Sequence, residues 1–197
     1  MAAPANGGGI VIRAARLADA ASIAAIYAPH VLVGTVSFET EAPDAEEMRA
    51  RMAASDGLYP WLVATTGDDG GAEGGVLAYA YASAFHKRAA YRFACETTIY
   101  VADAAQRRGV GRRLYAVLID TLRAQGFTQA IGAIALPNDG SVMLHEAAGF
   151  RRTGGYREVG YKNGQWIDVG HWRYALNESA VPPMELKRFA DVGVVLG

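Results

Sequence analysis

Cysteine is nearly absent. Cys95 is the only one in 197 residues, so no internal disulfide can form, and a reducing cytoplasm is the expected compartment. Long apolar runs are missing too: nothing approaches the roughly 18 consecutive apolar residues of a membrane-spanning helix. Residues 1–9 carry neither the basic start nor the apolar stretch of a secretory signal and read as a flexible segment. Neither sign of charge dominates, since 19 Lys and Arg stand against 20 Asp and Glu for a net charge of −1. That balance gives no global pull toward nucleic acid or a membrane surface. His, Cys and carboxylates never fall at metal-ligand spacing, so no metal is expected. What remains is 51% hydrophobic and 20% charged, the balance of a soluble globular chain whose length suits one domain.

No internal repeat or linker divides the sequence. Residues 10–13 form a short apolar strand, and Asp19 is placed to cap a helix in which Ile23, Ile26 and Tyr27 share a face. A second helix is expected from Asp44, just after Pro43, through Arg51. Residues 59–65 and 76–81 read as a hairpin whose Gly- and Asp-rich tip spans 67–75. Residues 96–101 are β-branched and bounded by turn formers, as a strand should be. A glycine turn follows, and then Leu114, Val117, Leu118 and Leu122 at helical spacing. Residues 130–136 read as a strand and 141–148 as a helix ended by Gly149. Two strands near 155–161 and 169–175 complete a β-α-α-β-β-β-α-β-α-β-β order. Residues 177–197 read as a tail without a period.

The turn is the most informative piece. Gln106-Arg107-Arg108-Gly109-Val110-Gly111 lies between a strand and an amphipathic helix. Glycines let backbone approach a ligand closely, and free amides at a helix start point at anions. Arg107, Arg108 and Arg112 add positive charge. A lone G-x-G also suits an ordinary tight turn, but the spacing here fits neither a Walker loop nor a Rossmann fingerprint.

Gln106-x-x-Gly109-x-Gly111 resembles the pyrophosphate loop of the GNAT acetyltransferases, and the element order over 10–176 resembles theirs as well. Within that superfamily, longer stretches resemble the phosphinothricin N-acetyltransferases. These are Cys95-Glu96-Thr97-Thr98-Ile99-Tyr100-Val101, Leu136-Pro137-Asn138-Asp139, residues 141–150, and Gly160-Tyr161-Lys162-Asn163-Gly164-Gln165-Trp166 with Asp168-Val169-Gly170. The resemblance implies a single α/β domain whose mixed, twisted sheet is splayed in the middle and flanked by helices. It implies acetyl-CoA as co-substrate. The backbone of Ile99, Tyr100 and Val101 would meet its pantetheine arm, and Gln106, Arg107, Arg108, Gly109, Val110 and Gly111 its pyrophosphate. Asn138 would bond the pantetheine, and Ser141 either assists or caps the next helix. A two-fold dimer is the family's usual assembly.

An ammonium has no lone pair with which to attack a thioester, so acetyl transfer to an amine needs a proton acceptor. Strand alternation puts Glu96, Thr98 and Tyr100 on one face and Cys95, Thr97, Ile99 and Val101 on the other. The resemblance makes Glu96 the general base; the plainer alternative is a half-buried structural carboxylate. His145, where many relatives carry a tyrosine near the thiolate, is either a catalytic proton donor or a core histidine. Cys95 points away from Glu96 with no adjacent histidine, so direct transfer without an acyl-enzyme is expected. Arg88 and Tyr91 match the family's substrate loop, and an Arg fork suits an acidic group on a small amino-acid-like acceptor. Phe38 is either a cover over that acceptor or plain core. His30 and His171 are expected to be structural. The alternatives to a small acceptor are a peptide N-terminus or a non-catalytic acyl-CoA sensor.

Overall fold

A computed structural model describes residues 9–55, 57–67 and 75–196. Most of the segment expected to be flexible at the start, and residues 68–74 of the hairpin tip, lie outside them. The elements are β1 (Ile10–Ala14), α1 (Ala20–Leu32), α2 (Ala45–Ala53), β2 (Trp61–Thr66), β3 (Val76–Ala84), β4 (Ala94–Val101), α3 (Val110–Gln125), β5 (Gln129–Leu136), α4 (Asp139–Ala147), β6 (Arg151–Lys162), β7 (Gln165–Ala175) and a short α5 (Phe189–Val192). Seven strands form one mixed sheet in the order β1-β2-β3-β4-β5-β7-β6. Every neighbouring pair is antiparallel except β4 and β5.

Local sequence explains most helix ends. Asp44 caps α2, its carboxylate accepting the amides of Glu46 and Glu47 at 2.9 Å each. Asp19 does not cap α1 as expected. Its carboxylate takes the Arg16 amide at 2.7 Å and grips Arg13 through two bonds of 2.7 and 2.8 Å. Charge-assisted bonds outcompete a neutral cap for the same oxygens. At α4 the cap is Asn138, whose Oδ1 accepts from the Ser141 amide at 3.1 Å, so Ser141 is inside the helix rather than at its cap.

The two faces of the sheet carry separate cores. On one, the helical stripe of α3 buries Leu114, Leu118 and Leu122 completely against Leu62, Ala80, Cys95 and Ala130. Each such leucine contributes about 1.5–3 kcal/mol of hydrophobic stabilisation. On the other, Ile23, Tyr27 and Val31 of α1 and Met48 and Met52 of α2 cover Trp61, Val63 and Tyr79. The segment expected as a tail is docked. Fully buried Gln125 donates to the carbonyls of Leu58 (2.7 Å) and Lys187 (3.0 Å), while Leu186, Phe189 and Val194 pack on the α3 core.

Candidate active site

The parallel pair β4–β5 is joined over only three positions, Ala94 with Gln129, Cys95 with Ala130 and Glu96 with Ile131. Beyond Glu96 the strands part, and residues 97–101 pair only with β3. The parting is built in: Thr97 turns its hydroxyl to the Ile131 carbonyl (3.2 Å) and to the Tyr115 hydroxyl (2.7 Å) where the next rung would be. The β5-facing backbone groups of Ile99, Tyr100 and Val101 therefore have no strand partner, and unpaired groups of this kind accept an extended ligand.

The glycine turn closes over the same stretch. Gly109 sits at φ +76 in left-handed space, where a side chain costs roughly 1–2 kcal/mol, and α3 starts at the next residue. The first turn-closing bond runs from the Arg113 amide to the Gly109 carbonyl at 3.1 Å. The amides of Val110, Gly111 and Arg112 thus have no partner within the helix. Val110 is buried as the anchor, whereas Gln106, Arg107, Arg108 and Arg112 are exposed. The Gln106 side chain is turned to Asp103 at 2.9 Å. A Cβ on Gly111 would stand 3.1 Å from Val101 Cγ2 and 3.9 Å from Ile99 Cδ1, so this turn rests directly on the unpaired strand. Asn138 and Ser141, at the head of α4, follow the other side of the gap.

Glu96 occupies the last rung before the strands part. It lies half-buried on the α1–α2 face, opposite Ser83 of β3. Burial pushes its carboxyl above the usual range, offset in part by His171 and His86. A carboxylate whose proton affinity has been raised is a better base.

His145 approaches from the opposite face. It is 4% exposed, its Nδ1 donates to the Ser141 carbonyl at 2.8 Å, and its ring stands edge-on to Tyr115 and Phe150 at 5.0 and 5.2 Å. Burial lowers its pKa, so the ring is neutral with its lone pair on Nε2. That edge presses on Gly132, where a Cβ would stand 2.7 Å from Nε2. Gly132 is the first residue of β5 past the last rung with β4. Glu96 and His145 therefore flank the opening from its two sides. Cys95 is fully buried, and burial pushes its thiol up, away from the nucleophilic thiolate form.

Phe38 is not plain core. Its ring is 44% exposed and lies against Gly160 of β6. The residues on either side of it are tied down by a network that the sequence did not reveal. Lys162 Nζ donates to the carbonyls of Val31 (2.6 Å) and Ser37 (2.7 Å), Tyr27 bonds the Ser37 hydroxyl (2.6 Å) and Glu39 (2.9 Å), and Arg51 grips both Glu39 oxygens (2.8 and 2.9 Å). Burial and the Glu39 charge push the Tyr27 hydroxyl up to about 12, and Lys162 is held below the usual lysine range by desolvation. Arg88 is exposed at the start of a short turn that carries Tyr91, and Phe85, His86 and Tyr91 form one aromatic cluster. A cavity of about 440 Å³ lined by Tyr27, Arg51, Trp61, Tyr79 and Tyr81 reaches Ser83, the cross-strand neighbour of Glu96. His30 packs beside Tyr100 at 5.0 Å, whereas His171 is on the Glu96 face rather than apart from the site.

A strand pair parted beneath a glycine-started helix is the architecture of acyl-CoA-dependent transferases, and comparison with known proteins agrees. The profile of the acetyltransferase (GNAT) domain matches residues 12–171, and the chain belongs to the GNAT acetyltransferase family. It is 39% identical to a phosphinothricin N-acetyltransferase of Streptomyces viridochromogenes over 93% of this chain and 96% of that protein. It is 32% identical to the L-methionine sulfoximine/L-methionine sulfone acetyltransferase of Salmonella typhimurium, covering 88% and 98%. Among solved structures, a GNAT superfamily phosphinothricin acetyltransferase from Sinorhizobium meliloti in complex with acetyl-CoA superposes with a TM-score of 0.81 at 35% identity, over 93% of this chain and 97% of that one. No described helix is long and apolar enough to cross a membrane.

Proposed function

We propose that this chain transfers the acetyl group of acetyl-CoA to the α-amino group of a small amino-acid-like acceptor, of the class of phosphinothricin or methionine sulfoximine. The observation that carries this reading is the coincidence of three features along one stretch of β4. The β4–β5 ladder ends at Glu96, the start of α3 with its unpaired amides rests on Ile99 and Val101 of the opened strand, and a carboxyl of raised proton affinity stands where the opening begins.

The residues fit acetyl-CoA. Residues 99–101 offer unpaired backbone to the pantetheine, Gln106 to Gly111 offer amides and arginines to the pyrophosphate, and Asn138 keeps its amide hydrogens for the arm while Oδ1 caps α4. Ser141 holds His145 through its carbonyl, so its part in binding is indirect. Glu96 takes a proton from the acceptor ammonium, and the freed lone pair attacks the thioester carbonyl. The C–N bond forms, the C–S bond breaks, and the second proton that the nitrogen sheds is taken by the lone pair of His145 Nε2 and passed to the departing sulfur. Arg88 and Tyr91 meet the acceptor's acidic group, and Phe38 covers it. A cavity of about 440 Å³ suits an amino acid better than a protein terminus, which needs an open groove. The large exposed side chains Tyr156, Val159, Tyr161 and Trp166 on β6 and β7 support a homodimer. One buried thiol agrees with work in a reducing cytoplasm.

The test is thiol release from acetyl-CoA with free amino acids, their phosphinic and sulfoximine analogues, and short peptides. Turnover of the analogues or free amino acids above the peptides supports the reading. Preference for peptides, or binding of acetyl-CoA without turnover of any amine, defeats it. Direct transfer makes a second prediction: Cys95→Ser should keep activity within about threefold, because a fully buried neutral thiol only fills space. An acetyl label trapped on Cys95, with activity lost in a folded Cys95→Ser, would overturn direct transfer.

A further inference from the structure

We propose that His171 is a positioning residue for Glu96: its imidazolium, sharing one open face of the sheet with the base, holds that carboxylate ionised at mildly acid pH. The inference rests on the reading of Glu96 as the general base.

Strand register makes the placement. β5 pairs Ile131 with Glu96 on one side, and Ala133 with His171 on the other. Along β7 the side chains alternate, and Trp172 is 2% exposed in the α3-side core. His171 must therefore project from the opposite face. Glu96 projects from that face too, because its neighbour Cys95 is buried in the same core as Trp172. On this face β5 places Ile131 on the rung of Glu96 and Ala133 on the rung of His171, so the two side chains are one diagonal step apart across β5. A ring edge from Tyr156 of β6 supports His171 at 5.3 Å and 84°. The half-buried imidazole is thus held in place on a strand, not on a loop.

The surroundings of Glu96 leave few other sources of positive charge. β3 presents Ser83 and Tyr81, β4 itself presents Thr98, and β5 presents Ile131 and Ala133, all uncharged at neutral pH. The β3–β4 loop brings His86, exposed and packed on Phe85 and Tyr91. On β7 the rung of Glu96 and Ile131 itself carries Arg173, which is exposed and pairs on its far side with Arg151 of β6. His171 and His86 are the groups whose charge offsets the burial of Glu96, His171 the more strongly of the two.

The sign follows from elementary electrostatics. A nearby cation favours the carboxylate, and burial favours the neutral acid. A carboxyl raised by burial titrates above the ordinary 4.5, toward the range in which imidazole side chains carry charge. Removing the imidazole should raise the proton affinity of Glu96 and move the acidic limb of kcat to higher pH. A permanent cation at the same position should leave the limb near its wild-type place.

The experiment compares wild type, His171→Gln, His171→Arg, His86→Gln and Glu96→Gln. It uses kcat–pH profiles at saturating acetyl-CoA and acceptor amine, with carbon-detected titration of labelled glutamate carboxyls in the free protein. The limb, and the carboxyl signal that Glu96→Gln deletes, should move up by about one pH unit in His171→Gln, the low end of what a nearby opposite charge does, and stay near its wild-type position in His171→Arg, which keeps the charge. One unit below the wild-type limb, His171→Gln should then lose about tenfold in kcat, with rates at pH 9 little changed. A purely structural histidine would not give a limb that rises in a folded His171→Gln and is restored by His171→Arg. A limb that Glu96→Gln abolishes but both His171 variants leave in place refutes the inference alone, as does a shift produced only by His86→Gln. A limb that survives Glu96→Gln instead refutes the reading of Glu96 as base.

Discussion

Glu96→Gln is expected to lower kcat by about 10²–10⁴-fold while acetyl-CoA binds unchanged. The substitution keeps the shape and hydrogen-bonding reach of the side chain and removes only the basic site. The cofactor contacts proposed for residues 99–101 and 106–111 are untouched, so the loss should fall on kcat and on kcat/KM for the amine alike. The pH profile should change form as well. The base must be ionised, so the wild-type rate should rise through a limb set by a carboxyl lifted above 4.5, and that limb should be missing in the variant. Thermal melts guard against a trivial explanation. With a folded-state pKa above the unfolded one, Glu96 binds its proton more tightly in the native state, so it costs stability once pH rises past its unfolded value. Gln carries no such cost. The variant should melt no lower than wild type at pH 8, and any advantage should fade below about pH 4. Wild-type kcat with a wild-type profile would place the base elsewhere, with water or the acceptor's own acidic group next in line.

What could be read from sequence was local. Leu114, Leu118 and Leu122 at helical spacing specify α3, and Asp44 specifies the start of α2, because each acts on residues within a turn or two. The glycine turn and Glu96 were legible for the same reason: a short motif carries its own geometry. Asp19 was misread because the partner that wins its carboxylate, Arg13, lies on a separate strand rather than on the helix it was expected to cap. β6 begins at Arg151, ahead of its expected start, because residues 151–159 are exposed throughout and show no alternation; pairing with β7 makes them a strand. Two features beside the candidate site were invisible altogether. His171 reaches the Glu96 face through the register of β5 with β7, and Lys162 fixes the Phe38 segment through carbonyls about 130 residues earlier in the chain, a separation of 131 and 125 positions. A lysine in a polar hairpin reads as a solvated surface residue until its amine is seen buried against two carbonyls.

Gly111→Val should weaken acetyl-CoA binding at least about a hundredfold, since displacing the first turn of α3 forfeits two or more charge-assisted bonds of roughly 1.5–3 kcal/mol each. A Cβ at this position would stand 3.1 Å from Val101 Cγ2, so the strand must give slightly, with Leu144 Cδ2 in ordinary contact at 3.7 Å behind it. Alanine needs the neighbours to give by a few tenths of an ångström; the two methyls of valine need α3 to lift off β4. The amides of Val110, Gly111 and Arg112 would then lose their aim at the pyrophosphate, and the packing of Ile99 and Val101 beneath them would loosen. Gly111→Ala should therefore lie between wild type and valine in affinity. Gly109→Ala isolates the other property of the turn, because its Cβ meets nothing within 4 Å and only the left-handed φ of +76 is strained. That variant should lose stability before it loses affinity. Calorimetric titration with acetyl-CoA, alongside melts of all three variants, separates the cases. Undiminished affinity in a folded Gly111→Val would mean that the pyrophosphate is held somewhere other than this turn, and the unpaired amides at the head of α3 would need a different ligand.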